Sequence, residues 1–269
     1  MSYIRDEVIV LKKMPFREYD RQYVLYGKDY GLLIAVARGS MKIQAKQAAQ
    51  LEPLHFADVM IAKGKAYDHL AVAISAGKDH KLKNLSSYAA AGAFADFCLH
   101  LLRPGVADDR IFELWEELLR TLSKLDAELS SLRAELVYAA AVLKFLDLLG
   151  YGPMLKICGA CGQVAGPTDV FYAPDHNGLI CQDCQPKQNQ ALIRLEARAV
   201  VLLGFLRTAS LSDVLRVTAP IAMLQTVIAL TREISKHAPF EFEPHGFRSI
   251  AELITNNQQN NHQKINNNQ

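Results

Sequence analysis

The sequence has little that announces catalysis. Its 269 residues hold no Gly-rich phosphate loop, no His-Glu-x-x-His pair, no Gly-x-Ser-x-Gly elbow and no two carboxylates in a context suited to acid–base work. An enzyme reading therefore has little to rest on, and a protein that binds is the expectation. Long apolar runs are missing too: no window reaches the roughly 18 uncharged residues of a spanning helix. The opening MSYIRDEVIVLKKMPF has no apolar segment of the secretory kind, so the cytosol is the expected compartment and no membrane partner is expected. The last fourteen residues, NNQQNNHQKINNNQ, lack the apolar content that offsets the entropy of ordering a chain, which predicts a disordered tail over 256–269.

Net charge is nearly absent as well, at +2, but it is unevenly spread. Residues 1–83 hold fourteen Lys and Arg against nine Asp and Glu, and the remainder holds sixteen against nineteen. The first third is the basic part. A surplus of that size can attract phosphate backbones or an anionic membrane, or it can belong to a merely solvated face.

What is present divides the chain by periodicity. DEVIVLKKM, RQYVLYGKD, GLLIAVARG, LHFADVMIAKG and DHLAVAISAG are short β-branched and aromatic runs separated by Gly, Asp, Lys or Pro, the pattern of five strands. Five strands in one small unit suggest a closed or nearly closed barrel over 1–80. The polar stretch SMKIQAKQAAQLEP between the third and fourth reads as a loop with a helical turn.

Beyond residue 85 the period becomes helical. In DDRIFELWEELLRTLSK the residues Ile111, Leu114, Trp115, Leu118, Leu119 and Leu122 share one helix face, with Asp108 or Asp109 as cap. LSSLRAELVYAAAVLKFLDLLG, apolar nearly all round, reads as a central helix stopped by Gly150 and Pro153. NLSSYAAAGAFADFCLHLL, QALIRLEARAVVLLGFLRTA and TAPIAMLQTVIALTREISKH read as further helices. The fold class is α+β and multidomain: a five-stranded barrel, then an all-α domain over 81–255 that carries a small cysteine-bearing insertion over 155–188.

That insertion holds four of the five cysteines. Cys158, Cys161, Cys181 and Cys184 form C-x2-C-x19-C-x2-C, within the window for a four-thiolate zinc site. Two residues between cysteines let one tight turn aim both sulfurs at a single ion, and Gly159 and Gly162 ease that turn. A zinc ion held by four thiolates has no open position for water or substrate, so its role would be structural. A redox dithiol is the competing reading, and His176 stands where it could replace a thiolate. Phe171 and Tyr172, between Pro and Asn-Gly turn signals, predict a small hairpin. Cys98 falls on an apolar helix face and reads as core.

The cations of the first third form three groups: Lys12, Lys13, Arg17 and Arg21 around the first turn; Arg38, Lys42 and Lys46 from the third strand into the polar loop; and Lys63 and Lys65 after the fourth strand. Phe16, Tyr19, Tyr23, Tyr26 and Tyr30 are interleaved with the first group. Cations that follow a backbone and rings that stack on bases are what single-strand binding needs. A barrel that docks a protein is the alternative reading of the same surface.

The order of these features resembles the RecO recombination mediators of bacterial DNA repair. VIVLKKMPFREYDRQYVLYGKDYGLLIAVARGSMK resembles the family's opening strands and its A-[RK]-G turn. LEPLHFADVMIAKGK resembles its L-x-P entry to a later strand, and LRAELVYAAAVLKFLDLLGYGPMLKICGACG its helix running into LGY-x-P-x-L-x-x-C-x-x-CG. The resemblance implies an oligonucleotide-binding (OB) barrel, a helical domain with a zinc finger holding one structural zinc, and function without covalent chemistry. It also implies binding of single- and double-stranded DNA, annealing of complementary strands and, with RecR, loading of RecA onto DNA coated by single-strand binding protein. That protein's acidic C-terminal tail is a further implied partner, and a cytoplasmic, nucleoid-associated location follows. Arg38, Gly39 and Lys42 fall in the family's basic loop, which is here less basic than the family pattern, and the four cysteines fall on its zinc positions. A zinc-stapled adaptor whose barrel binds a protein rather than DNA is the rival reading.

Overall fold

The computed structural model describes residues 2–41, 51–78, 80–126, 130–164, 170–185 and 192–236. Lys42 and Lys46, most of the polar loop around them and the 256–269 tail lie outside the described residues. The chain divides into two compact units, Met1–Lys124 and Leu125–Gln269.

In the first unit β1 (Tyr3–Pro15), β2 (Arg21–Gly27), β3 (Gly31–Ala37), β4 (Phe56–Ala62) and β5 (Asp68–Ser75) close a barrel in the order β1-β2-β3-β5-β4. Every pairing is antiparallel except β3 with β5, which closes the barrel in parallel through Ala35 opposite Asp68 and Val36 opposite His69. That is the closed barrel expected from the five runs, and it is OB-like as the resemblance implies. Alternate residues point inward, so Val8, Val10, Tyr23, Leu25, Leu33, Val59 and Ile61 fill its core. A register shift at Leu11, between Val10 and Lys12, bends β1 so that its first half pairs with β4 and its second with β2, the role a β-bulge plays in closing a small barrel.

Outward-facing Ile9, Tyr26 and Phe56 are also buried, because α1 (Leu85–Leu101) and α2 (Asp109–Leu122) belong to the same unit. Phe56 meets Phe112 at 5.5 Å between centroids. The Tyr26 hydroxyl donates to the Asp108 carbonyl at 3.3 Å and accepts from the Asp108 N–H at 3.1 Å, and burial pushes this phenol up to about 12. Asp108 caps α2, its carboxylate accepting from the Arg110 N–H at 2.9 Å. Asn84 caps α1 in the same way, accepting from the Ser87 N–H at 2.8 Å, and the two helices are joined by Phe94 against Trp115 at 4.7 Å.

The second unit is built on α3 (Ser130–Leu148) with α4 (Ala197–Thr208), α5 (Leu211–Val214) and α6 (Ile221–Lys236) around it. Residues 134–143 of α3 are buried on every side, as its all-round apolarity predicts. Arg207 of α4 grips the end of α3: it donates to both Asp147 carboxylate oxygens at 2.6 and 2.7 Å and to the Pro153 carbonyl at 2.6 Å.

Between α3 and α4 lies a four-stranded sheet of β6 (Met154–Cys158), β7 (Val170–Ala173), β8 (Gly178–Ile180) and β9 (Ile193–Leu195), in the order β6-β8-β7-β9. The stretch read as one helix from residue 190 is in fact a strand followed by a helix. Ile193 and Leu195 alternate with Arg194 and pair with Tyr172 and Val170, and the helical period begins only at Ala197.

Candidate functional site

The sheet of the second unit explains why the cysteines converge. β6 and β8 run parallel, with Cys158 opposite Leu179, so the chain leaves both at the same edge. Each departure is a Cys-x-x-Cys turn. In the first, the Gly162 N–H donates to the Cys158 carbonyl at 2.8 Å and the Cys158 N–H to the Gln163 carbonyl at 2.8 Å. Gly162 is at φ +74°, the left-handed region where a side chain is strained. In the second, the Cys184 N–H donates to the Cys181 carbonyl at 3.2 Å. The predicted hairpin of β7 and β8 is present, with Phe171 opposite Ile180 and Tyr172 opposite Leu179. Asn177 turns it and ties it back to β6, accepting from Tyr172 at 3.2 Å while its carbonyl receives the Met154 N–H at 2.9 Å.

The four Sγ atoms lie within 4.8 Å of one another, and Cys161 and Cys181 are 3.9 Å apart. Thiolates about 2.3 Å from a common ion in a tetrahedron stand about 3.8 Å from each other, so this tetrad can hold one metal ion. Cys158 and Cys184 are buried, Cys181 is half-buried and Cys161 is exposed. Burial alone would raise the Cys158 thiol, but the N–H groups of Cys181, Cys161 and Ala160 outweigh it and bring it down to about 6. Cys184 moves the other way, pushed up to about 12 by its contact with Cys181 and by burial. The cluster of metal-ligating side chains consists of the four cysteines alone among the described residues, without His176; His176 instead packs against Gly159, where a Cβ would come within 2.9 Å of it. Cys98 is fully buried in α1, and burial holds its thiol well above the ordinary range.

In the first unit the β1–β2 turn (16–20), the residues after β3 and the β4–β5 turn (63–67) form one rim. Phe16 meets Tyr67 edge to face at 5.3 Å, the Asp20 carboxylate accepts from the Gly39 N–H at 2.8 Å, and Arg38 reaches His69 at 3.0 Å. Gly39 takes φ +63° there, which accounts for the glycine in the A-R-G turn. Arg17, Arg38, Lys63 and Lys65 are exposed on this rim and Arg21 is half-buried at the start of β2. Lys12 and Lys13 lie further along β1, opposite Val24 and Tyr23. Of the aromatics interleaved with these cations, Phe16, Tyr19 and Tyr30 are exposed, whereas Tyr23 and Tyr26 are buried.

The structure adds residues that the sequence pattern did not single out. Glu52 pairs with Lys13, Asp68 pairs with Lys63 at 2.7 Å, and Tyr67 and His69 touch Arg17 and Arg38. Glu52 comes from 39 residues away and His69 from 31, and no local spacing carries such pairings.

The family described as "Recombination protein O N terminal" matches residues 1–77, and "Recombination protein O C terminal" matches residues 82–237. The chain belongs to the RecO family. It is 29% identical over 186 residues to the "DNA repair protein RecO" of Desulfitobacterium hafniense (strain DSM 10664 / DCB-2), a match covering 69% of this chain and 66% of that protein. To the RecO of Rubrobacter xylanophilus it is 29% identical over 69% of this chain and 73% of the other. To that of Caldanaerobacter subterraneus subsp. tengcongensis it is 23% identical over 92% and 98%. Among the described residues no helix is long and apolar enough to cross a membrane.

Proposed function

We propose that this chain is a DNA repair and recombination mediator that works by binding rather than by covalent chemistry. The observation that carries the reading is the rim of an OB-like barrel on which cations and exposed rings from three separate segments come together, in a chain of the RecO family. The barrel binds single- and double-stranded DNA. Its cations neutralise phosphates on two strands and reduce their repulsion, so complementary bases can meet and anneal. With RecR, and through contact with the C-terminal tail of single-strand binding protein, the chain assists the loading of RecA. Its place is the cytoplasm, at the nucleoid.

Cys158, Cys161, Cys181 and Cys184 would hold one zinc ion, which is redox-inert and, with four thiolates, leaves no position for substrate. The chain's own part is to present the four sulfurs from two turns at one sheet edge, so that the metal serves folding and not reaction.

Salt titration tests the reading. Among the described residues no carboxylate pairs with the candidates Lys12, Arg17, Arg21, Arg38 or Lys65. If each met one phosphate, log affinity for a single strand would fall against log salt with a slope of about −3.5. No binding at low salt, or a flat response, refutes DNA binding. Annealing that survives Arg38→Ala while partner binding is lost would favour the adaptor reading instead.

A further inference from the structure

The cations of the barrel rim and of the adjoining β1 differ in what holds them. Lys13 reaches Glu52 and Lys63 reaches Asp68, so each shares its charge with a carboxylate. Arg17 and Arg38 are held by rings. The Arg17 guanidinium stands 5.4 Å from the ring centroids of both Phe16 and Tyr67. Tyr67 in turn meets the His69 ring at 4.9 Å, and His69 Nε2 lies 3.0 Å from Arg38 Nη2. The two arginines thus stand at either end of one run of rings, Phe16–Tyr67–His69.

A guanidinium can only donate, so His69 Nε2 accepts, and the ring is neutral with its proton on Nδ1. That Nδ1 is buried with no hydrogen-bond partner among the described residues, an arrangement that costs stability in general. A fold that keeps it gains a lone pair aimed at Arg38. The physical difference from the lysines is simple: a ring orients a guanidinium without cancelling its charge, whereas a carboxylate does both. Arg17 and Arg38 also present planar donor forks, the geometry that suits phosphate.

We infer that His69 and the Phe16–Tyr67 pair are positioning residues for Arg38 and Arg17, and that these two arginines bind phosphates of a single-stranded nucleic acid whereas Lys13 and Lys63 do not. The inference rests on the proposed DNA-binding reading and assigns that binding to particular side chains. Exposed Phe16 beside the forks favours a single strand, because an unstacked base offers a face to a ring and a duplex does not.

The test is the salt dependence of binding by the full chain to a labelled deoxythymidine oligonucleotide. Arg17→Ala and Arg38→Ala should each make the log–log slope shallower by about 0.7, one single-strand phosphate contact, while Lys13→Ala and Lys63→Ala leave it unchanged. His69→Ala should weaken binding without changing the slope, since Arg38 keeps its charge. His69→Gln, whose carbonyl can accept from Arg38, should restore affinity, and His69→Ala should add nothing to Arg38→Ala. Both arginines are exposed, so their replacement leaves the barrel core intact, and His69→Gln controls for any loss of folding in His69→Ala. Equal slope changes for the lysine variants, or additive effects of His69→Ala and Arg38→Ala, overturn this inference and leave DNA binding standing. Absence of any oligonucleotide binding by the unmodified chain overturns both.

Discussion

Removing the metal from the cysteine tetrad should unfold one edge of one sheet and little else. The two Cys-x-x-Cys turns, Cys158–Gly162 and Cys181–Gln185, comprise ten residues, and ordering them costs about 15 kcal/mol at about 1.5 kcal/mol each. The apolar material on that side is slight: besides the cysteines, the buried cluster contains Ala173 and Ile180, which contribute about 3 kcal/mol. Backbone hydrogen bonds of the turns, such as Gly162 to Cys158, Gly159 to Leu179 and Gln185 to Cys181, contribute about 5 kcal/mol at about 1 kcal/mol each. About 7 kcal/mol is left uncovered, and a structural zinc supplies on the order of 10 kcal/mol. Metal analysis of the purified chain should therefore find one zinc per molecule. After chelation, or in Cys161→Ser/Cys181→Ser, amide exchange across 156–164 and 179–185 should approach the unprotected rate. The barrel strands, in the other compact unit, should keep their protection. Slow exchange in both turns of the metal-free chain would refute the reasoning, because it would mean the sheet edge stands without its ion.

Three further outcomes are expected. Tyr26→Phe removes the hydroxyl that both donates to and accepts from the Asp108 backbone, so urea unfolding should show a loss of about 1–3 kcal/mol with the fold retained. Asp108 is held below the ordinary carboxylate range by its hydrogen bond from Arg110, so its contribution is present above the unfolded value and is lost as pH falls through the lower folded one. Asp108→Asn keeps the cap and should make the fall of melting temperature shallower below about pH 4, the ordinary aspartate value; an unchanged slope would contradict the assignment. Arg207→Met strips the Pro153 carbonyl and Asp147 of their donor, which should cost about 1–2 kcal/mol for a half-exposed pair and speed amide exchange where α3 runs into β6.

Much of the fold was legible because its elements carry strong periods. The five β runs became the five barrel strands because each alternates across a wall with a filled interior, as Tyr23 and Leu25 do in β2. A cap at Asp108 or Asp109 was legible because capping is a local bond, and the structure places it at Asp108. β9 was not legible: Ile193–Leu195 is three residues long and adjoins a helix, so its alternation merges into the helical run beside it, and only pairing to Val170 and Tyr172 makes it a strand. β6 was hidden for a different reason: its partner β8 lies twenty residues on and runs parallel, so no local turn marks the pairing.

The candidate sites divide along the same line. The convergence of the four cysteines was legible, because a spacing that suits one metal ion leaves two short motifs to be matched. The cations were legible only as a set, since net charge counts every lysine alike. What separates Lys13 from Arg17 is a partner from elsewhere in the chain, Glu52 for one and Tyr67 for the other, and both partners are ordinary residues where they stand. The consequence for the barrel is that its modest surplus of positive charge understates its rim. Glu52 and Asp68 neutralise lysines that flank the rings, while Arg17 and Arg38 keep their charge between Phe16, Tyr67 and His69. A surface of that kind attracts phosphate through a few fixed donors rather than through a diffuse field. Its affinity should therefore respond sharply to the loss of either arginine and weakly to the loss of a lysine already held by a carboxylate.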